Sequence, residues 1–168
     1  MGSTIFLSLL EVETSENNVQ KFIERNPVLL SPFNAKKLFL KPSILGIYEA
    51  DFAILDATNT LIFVEIEKPR LPLFQQNGHP TAKLNHAYEQ VRDWLLKYNT
   101  SSREILNRMG LQEQDVNAVK GHVIAGTLEE SDKIKYQNHQ KKNENNNIGF
   151  ISYDNLASSV LNLSSELI

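Results

Sequence analysis

Two apolar segments joined by a short polar turn constrain the fold of this chain more than any other feature. Residues 44–55 (ILGIYEADFAIL) and 61–68 (LIFVEIEK) are rich in branched and aromatic side chains, which are typical of strands. The residues between them, 56–60 (DATNT), have the composition of a turn. The sequence therefore predicts a β-hairpin at this position.

The centre of the turn decides which side chains of the hairpin share a face. Because side chains alternate along a strand, a turn symmetric about Thr58 places Asp51 opposite Glu65. The same register places Glu49 opposite Glu67 on the same face, which is apolar near the turn and acidic at the far end. The other face is predicted to be apolar throughout, with Tyr48, Ala50, Phe52, Ile54, Ile62, Val64 and Ile66.

The four carboxylates at the far end of the hairpin need something to offset their repulsion. Opposed strand residues have Cβ atoms about 4.5–5.5 Å apart, and like charges there are destabilising. Mg²⁺, which commonly binds one or two carboxylates and substrate phosphate oxygens, would offset the repulsion. The alternative is an edge-strand face left in water, where the charges oppose aggregation. The pattern favours a metal site, and the alternative stays open.

Periodicity and composition outline the remaining elements. Further helices are predicted at 15–26, with Ser15 as N-cap, at 81–98, at 101–115, and after Asp154. Further strands are predicted at 37–40, 120–126 and 148–153. The polar segment 127–147 is predicted to be a mobile loop.

Composition limits the class of protein. The chain has 168 residues, of which 41% are hydrophobic, and this fits one globular domain over residues 1–168. The absence of cysteine excludes disulfides, thiolate metal sites and a cysteine nucleophile. Without an apolar run long enough for a membrane span, and without a signal peptide, a cytoplasmic protein with no membrane partner is expected.

The net charge of −3 by itself argues against a basic surface that coats nucleic acid. If the four carboxylates of the hairpin bind divalent cations, however, most of that charge is offset locally. The surrounding Lys and Arg side chains are then available for phosphate. The net charge therefore excludes little, but it predicts that any nucleic-acid binding at the hairpin depends on Mg²⁺.

Asp51 followed by Glu65-Ile66-Glu67 resembles the PD-(D/E)XK nuclease motif, in which an acidic residue and a D/E-x-K triplet hold Mg²⁺ or Mn²⁺. More specifically, residues 51–94 are similar to the catalytic domain of the Shedu anti-phage nuclease family. The shared features are an Asp-Phe strand, a Val-Glu-x-x-(K/R)-P segment, a Leu-Phe loop, and a helix with His-Ala and Gln-Val-x-x-Trp. Residues 121–126 and 152–156 fit as well, so the resemblance covers most of residues 16–160.

The resemblance implies a restriction-endonuclease-like α/β fold, with a mixed sheet flanked by helices, and metal-dependent hydrolysis of DNA phosphodiesters, with DNA favoured over RNA. By position it implies that Asp51 and Glu65 bind Mg²⁺ or Mn²⁺, helped by the backbone carbonyl of Ile66. The metal would polarise the phosphate and lower the pKa of the attacking water. Glu16 would add an outer ligand, or it is a helix-start residue favoured by the dipole.

Position 67 departs from the superfamily pattern, because the triplet ends in Glu67 where Lys is usual. Glu67 is interpreted as a general base or second-metal ligand, or else as a sign of altered or lost activity. Lys68 follows one residue later, and a shift of one residue places it on the opposite face unless a bulge rotates it. The resemblance also implies that Gln90 points toward the site, and its helical angle, at the edge of the apolar stripe beside Trp94, would let it reach a strand end. The alternative is an ordinary boundary polar residue. Trp94 is expected in the core.

The basic residues near the acidic segment are candidates for phosphate contacts, and they could equally be ordinary solvated charges. They are Lys68, Arg70, Lys83 and Arg92. His79 could also touch phosphate, whereas a surface or loop contact is expected of His86. The four histidines show no metal-ligand spacing, and no site for an organic cofactor is predicted.

The leading function is thus a metal-dependent nuclease in defence against phage or mobile DNA. A non-catalytic nucleic-acid-binding or regulatory module on the same fold is the second hypothesis, and a protein-interaction domain is the third. Shedu proteins usually carry an additional N-terminal regulatory region and form oligomers. Since only about 15 residues precede the first predicted helix, we expect a bare catalytic-type domain that is either a minimal family member or depends on a partner, with self-association possible.

Overall fold

The computed structural model describes residues 15–143 and 147–166, together with Thr4 and Ser8, and the side chains of 164–166 are not described. Within these residues, the helices are α1 (Glu16–Arg25), α2 (Ala82–Arg108), α3 (Lys133–Asn143) and α4 (Tyr153–Glu166). The strands are β1 (Ala35–Leu40), β2 (Ser43–Ile44), β3 (Tyr48–Glu49), β4 (Phe52–Asp56), β5 (Thr60–Ile66), β6 (Ala118–Ile124) and β7 (Ile148–Ile151). Short 3-10 helices occupy Pro27–Phe33, Glu113–Asp115 and Glu130–Asp132.

Five strands form one mixed sheet in the order β1-β4-β5-β6-β7. The pairs β1–β4 and β4–β5 are antiparallel, whereas β5–β6 and β6–β7 are parallel. Parallel neighbours need a crossover, and α2 and α3 lie in the connections that supply it. The predicted α/β fold, a mixed sheet flanked by helices, is confirmed.

The β4–β5 hairpin has the predicted register. Ala53 pairs with Phe63, and Phe52 pairs with Val64, as a turn centred on Thr58 requires. Asp56 stabilises the turn, because its Oδ1 accepts hydrogen bonds from the Thr58 and Thr60 N–H groups at 2.8 and 2.9 Å. The hairpin is the central part of the sheet and is covered on both faces.

Each face of the sheet has its own apolar core. On one face, Ala53 and Phe63 pack with Val91 and Trp94 of α2, so the prediction that Trp94 lies in the core is confirmed. On the other face, α1, the 3-10 helix Pro27–Phe33 and α4 cover a second set of side chains. That set includes Val19, Ile23, Leu29, Leu30, Phe52, Ile54, Val64, Ile66 and Leu156.

The prediction of one continuous strand over 44–55 was wrong. Leu45 and Gly46 have φ of 58° and 73°, so the chain turns sharply and forms the separate β2–β3 hairpin. A left-handed backbone suits glycine but is unusual for leucine, and nothing in the apolar pattern marks it. Glu49 and Tyr48 therefore leave the main sheet and are exposed, and Ala50 packs on the opposite face from Phe52.

Two further expectations need correction. The helices predicted at 81–98 and 101–115 do meet at a non-helical residue, Ser101, where φ is −140°, and together they form α2; the second ends at Arg108 and not at 115, since Glu113–Asp115 is a separate 3-10 helix. Residues 133–143, predicted as part of a mobile loop, form α3, which buries His139 against aromatic rings of the core. Residues 144–146 of that predicted loop, and most of the N-terminal segment that was read for a signal peptide, lie outside the described residues.

Candidate active site

Two carboxylates meet where β4 begins and β5 ends. Asp51 directly precedes β4, and Glu65 is the second-last residue of β5. Their side chains share a hydrogen bond, and Asp51 Oδ2 also accepts the Ile66 N–H at 2.8 Å. The predicted juxtaposition of Asp51 and Glu65 is thus present in the structure, one residue beyond the paired part of β4.

Burial changes the proton affinity of this pair. Desolvation is the largest cause that raises the pKa of Glu65, and the charge of Asp51 adds to it. Desolvation also raises the pKa of Asp51, although the hydrogen bond from the Ile66 N–H partly opposes this. Ionising both of two neighbouring carboxylates in a low-dielectric site is energetically unfavourable, so such a pair either retains a proton or attracts a cation.

Glu16 and Glu67 complete the group, which we call the carboxylate cluster: Glu16, Asp51, Glu65 and Glu67. Glu16 lies in the first turn of α1, which Ser15 caps by accepting the Asn18 N–H at 3.3 Å. Its charge contributes to the raised pKa of Asp51, Glu65 and Glu67. Glu49, expected opposite Glu67, pairs instead with Ser43 in the β2–β3 hairpin.

Glu67 is half-buried, and its backbone is held on both sides. Its N–H donates to the Ile124 carbonyl at 2.8 Å, and its carbonyl accepts the Tyr153 hydroxyl at 2.6 Å. Burial and the charge of Glu16 raise the pKa of its side chain, while Lys83 and His86 oppose the rise. These two hydrogen bonds therefore fix the end of β5 in position, although no residue of β4 pairs with it.

Oxygen ligands for a metal ion are available at this end of the sheet. Because the N–H and C=O of a strand residue point to the same side, the Ile66 carbonyl points toward Asp51 like its N–H. Among the residues that the structure describes, no three histidine or carboxylate side chains converge closely enough to enclose a metal ion. The donors fit an open site instead, in which Asp51, Glu65 and the Ile66 carbonyl leave positions for water and phosphate oxygens.

A family profile described as "Shedu protein SduA, C-terminal" matches residues 13–157, which is most of the chain. The chain belongs to the Shedu family. The match extends from the residues before α1 into α4 and includes every member of the carboxylate cluster. Membership in the Shedu family implies a role in anti-phage defence. No curated protein matches the chain significantly.

The basic side chains of this Shedu domain are distributed differently from the sequence prediction. Lys83 and His86, on the first turns of α2, act electrostatically on Glu67, and His86 is exposed on the surface of the helix, as expected. Lys41 acts on Asp51 and also donates its N–H to the Asp51 carbonyl at 3.1 Å. Sequence reasoning did not identify Lys41 as a neighbour of Asp51. The only sequence feature that could have indicated it is its position before Pro42, where β1 has to end.

Three other predicted residues lie at the margin of the cluster or away from it. Lys68 is exposed beyond the end of β5, and its carbonyl accepts the Gly126 N–H at 3.0 Å. Arg70 is also exposed after Pro69. Arg92 lines a separate cavity between α2 and α3, together with Lys135 and Lys142.

Gln90 is half-buried on α2, beside the core residue Val91. Seven residues separate it from Lys83, so the two side chains lie on the same side of the helix. Tyr153, which sequence reasoning did not single out as functional, is fully buried and supports Glu67 through its hydroxyl. No helix in the described part of the chain is long and apolar enough to cross a membrane.

Proposed function

We propose that this Shedu domain hydrolyses phosphodiester bonds of DNA, with Mg²⁺ or Mn²⁺ held by Asp51 and Glu65. One observation carries the proposal: the buried Glu65 and the half-buried Asp51 lie side by side and share a hydrogen bond, where β5 ends and β4 begins. A folded protein keeps such a pair at the expense of stability, and a divalent cation would offset the repulsion. The resemblance of Asp51 and the 65–67 triplet to the PD-(D/E)XK motif supports the same chemistry.

The residues around the pair have distinct roles in this proposal. Asp51 is oriented by the Ile66 N–H, Glu65 enters from β5, and the Ile66 carbonyl supplies a third oxygen. Glu16, at the outer edge of the cluster, would hold a water molecule bound to the metal ion. When bound, the metal ion polarises the phosphate and lowers the pKa of the attacking water.

Glu67 acts as the general base. The water oxygen bonds to phosphorus while the bond from phosphorus to the leaving sugar oxygen breaks, the water proton passes to the Glu67 carboxylate, and the leaving oxygen takes a proton from solvent. A pKa raised by burial brings this carboxylate closer to the operating pH, which makes it a better base. Because Glu67 stands where Lys is usual, the positive charge that faces the phosphate comes from Lys83 on α2.

The DNA backbone lies along the exposed margin of the cluster. Lys68 and Arg70 follow β5 directly and contact phosphates on one side, while Lys83 contacts them from α2. Gln90, on the same side of α2 as Lys83, orients the scissile phosphate. Such contacts fix the register of DNA without reading its sequence, which suits a defence nuclease that must cut many targets.

Calorimetry and cleavage assays on the same variants test the proposal. The wild type, Glu65→Gln and the control Glu49→Gln are titrated with Mg²⁺ and Mn²⁺, and are incubated with single- and double-stranded DNA and RNA. We expect metal binding and DNA cleavage in the wild type and in Glu49→Gln, and neither in Glu65→Gln. Absence of metal binding by the wild type would refute the proposal.

A second function is favoured by one observation, namely that Glu67 replaces the usual Lys. It is a non-catalytic module that binds nucleic acid on the same fold. Metal-dependent DNA binding without cleavage of any of the four substrates would support this function over hydrolysis. A Glu67→Lys variant that cleaves where the wild type does not would identify position 67 as the cause.

A further inference from the structure

Two backbone hydrogen bonds hold the chain beyond the ends of β5 and β6. The Glu67 N–H donates to the Ile124 carbonyl at 2.8 Å, and the Gly126 N–H donates to the Lys68 carbonyl at 3.0 Å. These bonds continue the parallel pairing of the two strands past Ile66, where β5 ends. The backbone around Glu67 is therefore fixed from the β6 side, although it belongs to no strand.

Tyr153, the first residue of α4, closes this arrangement into a ring. Its N–H donates to the Gly126 carbonyl at 2.9 Å, and its hydroxyl donates to the Glu67 carbonyl at 2.6 Å. We call the four residues Glu67, Lys68, Gly126 and Tyr153 the Tyr153 frame. The frame joins the end of β5, the end of β6 and the start of α4, which are up to 86 residues apart in the sequence.

The Tyr153 side chain gives Glu67 a rigid support. It is fully buried in the apolar core that also contains Ile66 and Ile124. Burial and the charges of the carboxylate cluster raise the pKa of Tyr153, so its hydroxyl remains a neutral hydrogen-bond donor. Because a close-packed core holds the ring in one rotamer, the hydroxyl has a defined position.

The backbone conformation of the frame requires glycine at position 126. The φ of Gly126 is 62°, in the left-handed region that glycine adopts without strain. A Cβ atom there would lie 2.6 Å from Leu73 Cδ2 and 3.0 Å from the Leu71 carbonyl oxygen. A larger residue would therefore displace the backbone that joins Lys68 to Tyr153.

The hydrogen bonds on the two sides of Glu67 set the direction of its side chain. Its N–H and its C=O belong to the two peptide planes that flank its Cα atom, and each plane has a partner outside β5. With both planes fixed, the Cα–Cβ bond of Glu67 has one direction relative to Asp51 and Glu65. A general base acts within about 2.6–3.2 Å of the group it deprotonates, and a displacement of about 1 Å can lower a rate about 10²-fold.

We propose that Tyr153 is a positioning residue that aims the Glu67 carboxylate at the attacking water. This inference rests on the proposed function, in which Glu67 is the general base. Tyr153 acts through the Glu67 backbone and not by contact with metal or DNA. Its hydroxyl binds the peptide that follows Glu67, whereas the Ile66 carbonyl belongs to the peptide before it. Loss of the hydroxyl should therefore disturb the base and leave the metal site intact.

Tyr153→Phe removes the hydroxyl and keeps the ring, and Tyr136→Phe is its matched control. The Tyr136 hydroxyl also donates to a strand carbonyl, that of Phe150 at 3.3 Å, but this strand is β7 at the edge of the sheet. We expect Tyr153→Phe to lower kcat for DNA cleavage about 10–100-fold, with the KM for DNA and the Kd for Mg²⁺ within about twofold of the wild type. Tyr136→Phe should change none of these quantities.

Two kinetic results would overturn the proposal. The first is an unchanged kcat in the folded Tyr153→Phe variant, or an equal loss in Tyr136→Phe. The second is a parallel loss of Mg²⁺ binding in Tyr153→Phe, because the tyrosine would then support the whole site and not Glu67.

Carbon-13 NMR of the side-chain carboxyl groups, recorded without divalent cations, tests the positioning separately from activity. The Glu67 resonance should shift in Tyr153→Phe and stay in place in Tyr136→Phe. If the wild type cleaves no nucleic acid, the proposed function fails, and the spectrum still decides whether Tyr153 positions Glu67. An unmoved Glu67 resonance in Tyr153→Phe would overturn that role.

Circular dichroism shows whether each variant folds. If Tyr153→Phe does not fold, Gly126→Ala tests the same frame, with Gly110→Ala as its control. Both glycines have a left-handed backbone, but a Cβ atom at Gly110 would meet no atom within 4 Å. Only Gly126→Ala should lower kcat and shift the Glu67 resonance, and equal behaviour of the two variants would overturn the proposal.

Discussion

Asp51 and Glu65 lie together at one end of the sheet, where Glu65 is buried and Asp51 half-buried, whereas the half-buried His122 lies on β6, apart from the ionisable groups of the carboxylate cluster. The two carboxylates share a hydrogen bond, and Asp51 is held further by the Ile66 N–H. The Nε2 of His122, in contrast, has no partner among the described residues. Burial raises the pKa of the carboxylates and lowers the pKa of the histidine.

This difference shows that burial alone does not define a site's chemistry. Desolvation disfavours the charged form in both regions, but only the carboxylates add like-charge repulsion to it. The carboxylate cluster is therefore the place where we propose a cation, while His122 is a neutral side chain near pH 7. Substitutions in one region should leave the properties of the other unchanged, and the following predictions test this separation.

The largest effect is expected for cleavage of DNA by Glu65→Gln. Loss of a metal ligand removes several kcal/mol of transition-state stabilisation, which corresponds to a decrease in rate of about 10³-fold or more. The rate measured for His122→Phe should stay within about twofold of the wild type, because that ring lies on the other sheet face. A comparable loss in both variants would show that the two regions are one functional unit.

Glu67→Gln should lower the cleavage rate by about 10²–10⁴-fold, as expected when a general base is lost, while metal binding persists. The pH–rate profile separates this role from a structural one. The wild-type rate should rise with pH as the Glu67 carboxylate loses its proton, and the rise should be absent in Glu67→Gln. An unchanged profile in the variant would remove Glu67 from the catalytic step.

Stability should depend on pH in opposite directions in the two regions. The folded pKa of His122 is about 4, below its ordinary value of 6.5, so its contribution to the free energy of unfolding falls as pH falls through this range. At about pH 4.5 the wild type should therefore have lost about 2–3 kcal/mol relative to His122→Phe, compared with neutral pH. Urea unfolding of both proteins measures the difference.

For the carboxylates the sign is reversed. The folded pKa values of Asp51 and Glu65 lie above the ordinary values, so the folded state keeps its protons longer than the unfolded chain. Their contribution to the free energy of unfolding therefore falls as pH rises from about 4 upward. Glu65→Gln should reduce this loss, and an identical pH dependence in the variant and the wild type would contradict the raised pKa values.

The smallest effect is expected for single cations at the margin of the cluster. In the presence of Mg²⁺, Lys83→Ala should weaken DNA binding a few-fold and lower the slope of log K against log salt by about 1. Arg92→Ala, in a separate cavity between α2 and α3, is the matched control and should change neither quantity. Fluorescence anisotropy over a range of salt concentrations measures the affinity and its salt slope. Equal losses of affinity in Lys83→Ala and Arg92→Ala would indicate instead that DNA contacts both sides of α2.

The β4–β5 hairpin and the start of α1 could be predicted from the sequence, because the interactions that form them are local in the chain. The composition of residues 56–60 defines a tight turn, and the turn alone determines that Phe52 pairs with Val64. Asp51 and Glu65 then have to meet, whatever the rest of the chain does. Ser15 before an amphipathic segment likewise predicted the start of α1, which the structure confirms.

The errors occurred where backbone conformation or distant packing decides. The left-handed backbone of Leu45 turns the chain away from the sheet, and no periodicity reveals it. The segment that forms α3 is almost uniformly polar, and it is helical because His139 packs between Tyr88, Phe74 and Phe150. Those partners come from distant parts of the chain, so a local pattern could not predict the helix.

The sequence by itself determined the hairpin, its register and the meeting of two carboxylates, because alternation and turn geometry act over a few residues. Glu16 was expected from the family resemblance, but only the tertiary structure removed Glu49 from the carboxylate cluster, since the β2–β3 hairpin leaves the main sheet. Only the tertiary structure brought Phe33 and Gly149 against His122. Such contacts join segments far apart in sequence, and their positions depend on how the whole core packs.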